Sequence, residues 1–86
     1  MSQINKLILK IISGKSDANI DFNELCNLLE YLGFERRIKG SHNIFRKEGV
    51  LTKINLQKDG TKAKQYQVRQ IRKLIFDYNL MDFDNV

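Results

Sequence analysis

Residues 34–57, FERRIKGSHNIFRKEGVLTKINLQ, decide the fold of this chain. Their apolar side chains recur with a period of about two, which is typical of strands with one buried face. Gly40-Ser41 and Glu48-Gly49 are turn signals between the runs. The segment therefore predicts three antiparallel strands, at residues 34–39, 43–48 and 50–57.

The middle strand has the only histidine of the chain at its beginning. Successive side chains of a strand point to opposite faces of the sheet, so a core-facing Phe45 turns His42 and Arg46 to the other face. A β-bulge near the turn would reverse this assignment. On the unbulged assignment, His42 lies on the face of the sheet that meets water or a ligand.

Helical patterns flank the predicted strands on both sides. Apolar residues recur at intervals of three and four in residues 3–13, 22–32 and 65–78, which predicts three amphipathic helices. Asp21 is placed to cap the second helix and Gly33 to end it. The order α-α-β-β-β-α is typical of an α+β domain whose helices pack on one face of a three-stranded antiparallel sheet.

The segments that follow the third strand and the last helix are predicted to be, respectively, a turn and a tail that is either frayed or a docking segment. Lys58-Asp59-Gly60-Thr61 indicates a turn, and residues 62–64 lead into the last helix. Residues 79–86 form a short acidic C-terminal tail. We therefore expect a single domain over residues 1–78, followed by this tail.

The cysteine count and the apolar runs exclude several classes of protein. Cys26 is the only cysteine, so an internal disulfide is excluded, and with one histidine it makes no ligand set for structural zinc. No apolar run approaches the ~20 residues that cross a bilayer, and the first residues lack the order of a secretory signal. The sequence predicts a cytoplasmic protein without a membrane segment.

Positive charge is concentrated in residues 36–73. That segment holds twelve basic residues and two acids, a net charge of +10, whereas the remainder of the chain carries −5. Charge segregated in this way attracts a polyanion, with nucleic acid as the first candidate and an anionic membrane as the second. A solvated basic face without a ligand is the alternative.

His42 is the candidate catalyst, because an imidazole can accept and return a proton near neutral pH. Its lysine and arginine neighbours suit a phosphate partner. The basic segment offers only Glu48 and Asp59 as carboxylates, too few to hold Mg²⁺. The residues therefore favour a metal-free, cofactor-free attack of an RNA 2′-hydroxyl on the adjacent phosphate, which would leave DNA uncut. A surface or structural histidine is the alternative.

Residues near His42 and on the last helix are candidates for binding the RNA backbone. Cations would stabilise the phosphate, and the Gly-Ser turn would permit close approach or simply close the hairpin. Each cation can equally be a solvated surface residue. Tyr66 is a candidate for base stacking or for a protein contact. The candidate RNA-binding residues are Lys39, Gly40, Ser41, Arg46, Lys47, Lys62, Lys64, Arg69 and Arg72.

Three short segments connect this chain with a known family. Leu32-Gly33-Phe34 ends the second helix, and Gly40-Ser41-His42 is followed by Asn43-Ile44-Phe45 in the middle strand. In this arrangement the sequence resembles the HicA toxin family, small ribonucleases of bacterial and archaeal toxin–antitoxin modules. The resemblance extends over about residues 6–78.

The resemblance implies a fold like that of the double-stranded-RNA-binding domain, and cleavage of messenger RNA. The family's essential histidine corresponds to His42. It also implies a HicB-type antitoxin as the partner that covers the active site, with a dimer or a larger toxin–antitoxin complex both open. Many relatives have further histidines after the motif, whereas Asn43 and Ile44 stand here, so a two-histidine mechanism is excluded.

Two other functions compete with that of a ribonuclease. A non-catalytic RNA-binding module needs only the same fold and charge, and it would bind RNA in a salt-sensitive way without cutting it. A protein-interaction domain would use the basic face for an acidic partner. A DNA-binding role is less favoured, because no helix-turn-helix pair lies within the basic segment.

Overall fold

The computed structural model describes residues 3–80 of the chain. Three helices and a three-stranded antiparallel sheet in the order β1-β2-β3 make an α+β fold of the double-stranded-RNA-binding type, as predicted. A short two-stranded hairpin precedes the last helix. The elements are α1 (Gln3–Ser13), a 3₁₀ turn (Asp17–Asn19), α2 (Phe22–Tyr31), β1 (Glu35–Lys39), β2 (His42–Lys47), β3 (Val50–Leu56), β4 (Lys58–Asp59), β5 (Lys62–Ala63) and α3 (Gln65–Asp77).

Both ends of α2 are set by the residues that the sequence indicated. The Asp21 carboxylate accepts a hydrogen bond from the Glu24 backbone N–H at 3.0 Å, which satisfies one of the free donors of the first turn. At the other end Gly33 has a φ of +99°. The Phe34 N–H donates to the Leu29 carbonyl at 3.0 Å, completing a Schellman motif. The chain therefore leaves α2 in the direction of β1.

The two faces of the three-stranded sheet differ as the alternation predicts. Phe45 on β2 and its partner Ile54 on β3 are both fully buried against the helices. His42 and Arg46 are exposed on the opposite side, which we call the open face. The register shift between β2 and β3 lies between Phe45 and Lys47, beyond the turn, so it does not reverse the orientation of His42.

The predicted turn is present at Gly60-Thr61, but the residues on either side of it pair as β4 and β5, which the sequence did not predict. The backbone of this hairpin is tied to the entrance of α2. The Phe22 N–H donates to the Thr61 carbonyl, and the Ala63 N–H donates to the Ile20 carbonyl, each at 2.9 Å. Strands of two residues have no periodicity of their own, and these form because a distant segment pairs with them.

One core lies between the helices and the inner face of the sheet. It draws on α1, α2, α3, the sheet and the β4–β5 hairpin. Cys26 lies inside it with no exposed surface, and burial raises the pKa of its thiol. The cysteine is therefore a small core residue, as expected. Its buried apolar members are Leu7, Ile8, Ile11, Ile20, Phe22, Leu25, Cys26, Leu28, Leu29, Phe34, Phe45, Ile54, Leu56, Ala63, Val68, Ile71, Leu74 and Ile75.

The end of α3 is closed by two residues of the predicted tail. Asn79 adopts a φ of +54°, and the Leu80 N–H donates to the Ile75 carbonyl at 2.9 Å. The rest of that tail, residues 81–86, lies outside the described residues. Within residues 3–80, no helix has the length and apolar character needed to cross a membrane.

Candidate active site

A two-residue turn places His42 at the first position of β2. Lys39 and His42 pair across it, with Gly40 and Ser41 as the central residues. Gly40 has a φ of +61° and Ser41 does not have a positive φ, which is the pattern of a type II′ turn with glycine first. The turn matches the twist of the flanking strands, so β2 begins directly after it with His42 as its first residue.

Two polar side chains of the neighbouring strand and its end contact this turn. The Nδ1 atom of His42 lies 3.1 Å from Oδ1 of Asn55. The amide of Gln57 donates to the Ser41 hydroxyl at 3.3 Å. Neither Asn55 nor Gln57 was among the site residues predicted from the sequence. The only available signal was the alternation of β3, which puts both on the side away from Ile54.

The open face around His42 is positively charged. Lys39 lies directly opposite His42 on β1, and Arg46 lies on the same strand, about 13 Å further along at 3.3 Å per residue. Arg37 and Lys53, which sequence reasoning did not select, line a shallow groove with these two cations. Five cations therefore line the groove, which reaches His42 at Lys39, together with the carboxylate of Glu35 and the apolar Ile44; the cations are Arg36, Arg37, Lys39, Arg46 and Lys53.

Four of the other predicted cations lie away from the groove. Lys47 shares the face of Phe45, and its Nζ lies beside Gly33, where an added Cβ would come within 2.6 Å of it. Lys62 belongs to the β4–β5 hairpin and lines a groove with residues of α1 and α2. Lys64 is the N-cap of α3, and Arg69 is exposed on that helix.

Arg72, the fifth, is held by the N-terminal part of the chain. Its guanidinium donates to both carboxylate oxygens of Asp17, at 2.8 and 3.2 Å, and to the Ile11 carbonyl at 3.1 Å. Both charged side chains are largely buried, with 21% and 14% of their surface exposed. A bidentate pair of this kind, completed by a helix C-terminal carbonyl, joins α3 to α1 and the 3₁₀ turn.

Replacing Arg72 with alanine is expected to lower the free energy of unfolding by about 1 to 2 kcal/mol, because it leaves the Asp17 carboxylate without its donor. Urea denaturation followed by circular dichroism measures the change. Lys73→Ala is the matched control, since Lys73 pairs with Asp77 on the same helix but both side chains are well exposed. Equal midpoints for the two variants would contradict a structural role for Arg72.

The first turn of α3 contacts the strand that carries Asn55. Gln67 is only 1% exposed, and its amide donates to the Asn55 backbone carbonyl at 3.2 Å. Tyr66 beside it is 56% exposed. Its ring is therefore available near β3, as the stacking hypothesis requires, whereas Gln67 is a buried polar residue that the helical pattern did not reveal.

The described residues show no metal site of the usual kind. Among residues 3–80, no three His, Cys, Asp or Glu side chains come together as ligands.

The comparison with known families assigns the chain. A family model described as the HicA toxin of bacterial toxin–antitoxin systems matches residues 22–75. The chain belongs to the HicA toxin family. Neither a search of curated proteins nor a search of solved structures found a match.

The HicA match includes the whole of the candidate site. It extends from the first residue of α2 almost to the end of α3, and it contains the Gly40-Ser41 turn, His42 and Asn55. Membership of this family makes the protein the toxin of a toxin–antitoxin system and implies a cognate antitoxin.

Proposed function

We propose that this HicA toxin is a metal-independent endoribonuclease that cleaves messenger RNA, with His42 as its single catalytic histidine. The observation that carries the proposal is the position of His42, exposed at the start of β2 and beside a groove lined by five cations. An imidazole supplies proton transfer, and the cations suit a phosphate whose negative charge increases in the transition state.

The chemistry that this site supports is attack by the RNA itself. The 2′-hydroxyl loses its proton, its oxygen bonds to the adjacent phosphorus, and the bond from phosphorus to the 5′-oxygen breaks. The leaving 5′-oxygen takes up a proton, so the products carry a 2′,3′-cyclic phosphate and a 5′-hydroxyl. His42 serves one of these two proton transfers, and no second imidazole stands in the chain to share them.

The cations of the open face have the second role in this proposal. Lys39, directly across from His42, is the nearest to the reacting phosphate, while Arg37, Arg46 and Lys53 follow the RNA backbone along the groove. Gly40 and Ser41 leave open space beside the imidazole, since nothing lies within 4 Å of the side-chain position of Gly40. Of the predicted RNA-binding residues, Lys47 and Arg72 instead stabilise the fold in this proposal.

The partner proposed for this face is a HicB-type antitoxin. A protein that presents carboxylates to Arg37, Lys39 and Arg46 would pair with the same charges that bind RNA, and it would cover His42 at the same time. The antitoxin would then inhibit the toxin by competing with RNA for the open face.

The substrate requirements test the mechanism. RNA labelled at its 5′ end is expected to be cut in EDTA, whereas the same oligonucleotide with a single 2′-deoxy sugar at the cleaved position stays intact, because the attacking oxygen is gone. End-group analysis should find cyclic phosphate. The all-RNA oligonucleotide is the matched control.

Two outcomes would overturn the proposed function. Cleavage that stops in EDTA and returns with Mg²⁺ would mean that a metal ion carries the reaction. Tight, salt-sensitive binding without any cleavage would identify a non-catalytic RNA-binding module instead.

A further inference from the structure

The contact between His42 and Asn55 involves one of the two imidazole nitrogens, Nδ1. Oδ1 of Asn55 lies 3.1 Å from Nδ1 of His42. An amide oxygen only accepts hydrogen bonds, so the bond forms when Nδ1 is the protonated nitrogen. A neutral imidazole has one N–H, and Nε2 is then left with a free lone pair.

Asn55 is itself held from both the sheet and α3. It pairs with Ile44 on β2, which places its side chain on the open face next to His42 along the sheet. Its backbone carbonyl accepts a hydrogen bond from Gln67, whose side chain is 1% exposed. The buried Gln67 amide thus holds the Asn55 backbone against α3.

We infer that Asn55 is a positioning residue that selects the Nδ1–H tautomer of His42 and so leaves Nε2 as the general base. The tautomer is inferred from the contact alone. Its consequence for catalysis rests on the proposed function. Nε2 takes the proton of the 2′-hydroxyl, and the Nδ1–H bond to Asn55 stabilises the imidazolium that results.

Within residues 3–80, the His42 ring makes no other hydrogen bond that would select the tautomer, because Asn55 is its only partner. Lys39 lies opposite on β1, but in this described part of the chain no hydrogen bond joins its ammonium group to the ring. Loss of the Asn55 amide would therefore free the ring to exchange between tautomers and to rotate about its side-chain bonds.

The test uses the fact that the chain contains a single histidine. In protein labelled with ¹⁵N-histidine, two-bond ¹⁵N–¹H correlations at alkaline pH identify the protonated nitrogen without overlap from another ring. Wild type is expected to show Nδ1–H. Asn55→Ala is expected to move towards Nε2–H, and Asn55→Asp, whose carboxylate accepts the same bond, is expected to keep Nδ1–H.

Cleavage kinetics follow on the same samples. Asn55→Ala is expected to lose at least about tenfold in kcat with little change in KM, because the wrong tautomer presents N–H where a base is required. Asn55→Asp should recover much of that loss. Asn27→Ala, an exposed asparagine on α2, is the matched control and should resemble wild type in both measurements.

The NMR and the kinetic measurements test the tautomer of His42 and the nuclease activity separately. Nε2–H in the wild-type protein would overturn the inference whatever the kinetics show, and so would an Asn55→Ala variant that cleaves as fast as wild type. If the tautomer changes as expected but wild type cuts no RNA, the role of Asn55 in holding His42 stands and the proposed function is what fails.

Discussion

His42→Ala is expected to lower the rate of RNA cleavage at least about 100-fold, because one positioned acid or base typically supplies 10²–10⁴-fold. No second histidine can take over the proton transfer. The side chain is exposed and contacts Asn55 at the surface, so its removal should leave the fold intact. Single-turnover cleavage of a 5′-labelled RNA in EDTA measures the effect.

The control for this variant must separate loss of chemistry from loss of structure. Circular dichroism and the urea midpoint of His42→Ala should match those of wild type, and its RNA affinity should remain. Tyr31→Ala, which removes an exposed ring from α2, should cut at the wild-type rate. Undiminished cleavage by a folded His42→Ala protein would remove His42 from the mechanism.

Phe45→Ala is expected to lower the free energy of unfolding by about 3–5 kcal/mol, the range for truncating a buried phenylalanine. Phe45 is fully buried in the central strand, between Arg36 on β1 and Ile54 on β3. The Arg36 guanidinium also lies 5.8 Å from the centre of its ring. Since small domains are stable by only about 5–15 kcal/mol, this loss is a large share of the total stability.

Urea denaturation followed by circular dichroism measures this loss. Phe76→Ala is the matched control, because Phe76 is 55% exposed on α3 and its truncation leaves no cavity. The control should shift the midpoint far less. Similar midpoints for the two variants would mean that Phe45 is not at the centre of the core.

Local signals in the sequence were sufficient for most of the fold. The Asp21 cap and the Gly33 turn act over three or four residues, so the ends of α2 follow from their immediate neighbours. The alternation around Phe45 likewise predicts which side of β2 carries His42. Each of these features depends on residues within one helical turn or one pair of strands, so a local sequence pattern is enough to predict it.

Other features depend on partners that are remote in the sequence. Arg72 appeared to be a backbone-binding cation, but Asp17, which receives its hydrogen bonds, is 55 residues away. The β4–β5 hairpin forms against residues 20–22, and Asn55 and Gln67 become important only when β3, β2 and α3 are side by side. Neutral polar residues carry no charge or periodicity signal, so their roles appear only in three dimensions.

The hydrogen bonds that Arg72 makes with Ile11 of α1 and with Asp17 bear on how much of the chain is needed for a stable domain. The match to the family model begins at residue 22, yet Ile8 and Ile11 of α1 are buried in the same core as α2 and α3. Cutting the chain at the border of the recognisable region would expose that apolar surface and leave Asp17 and Arg72 apart. The region that the family model matches is therefore smaller than the part of the chain that packs into one core.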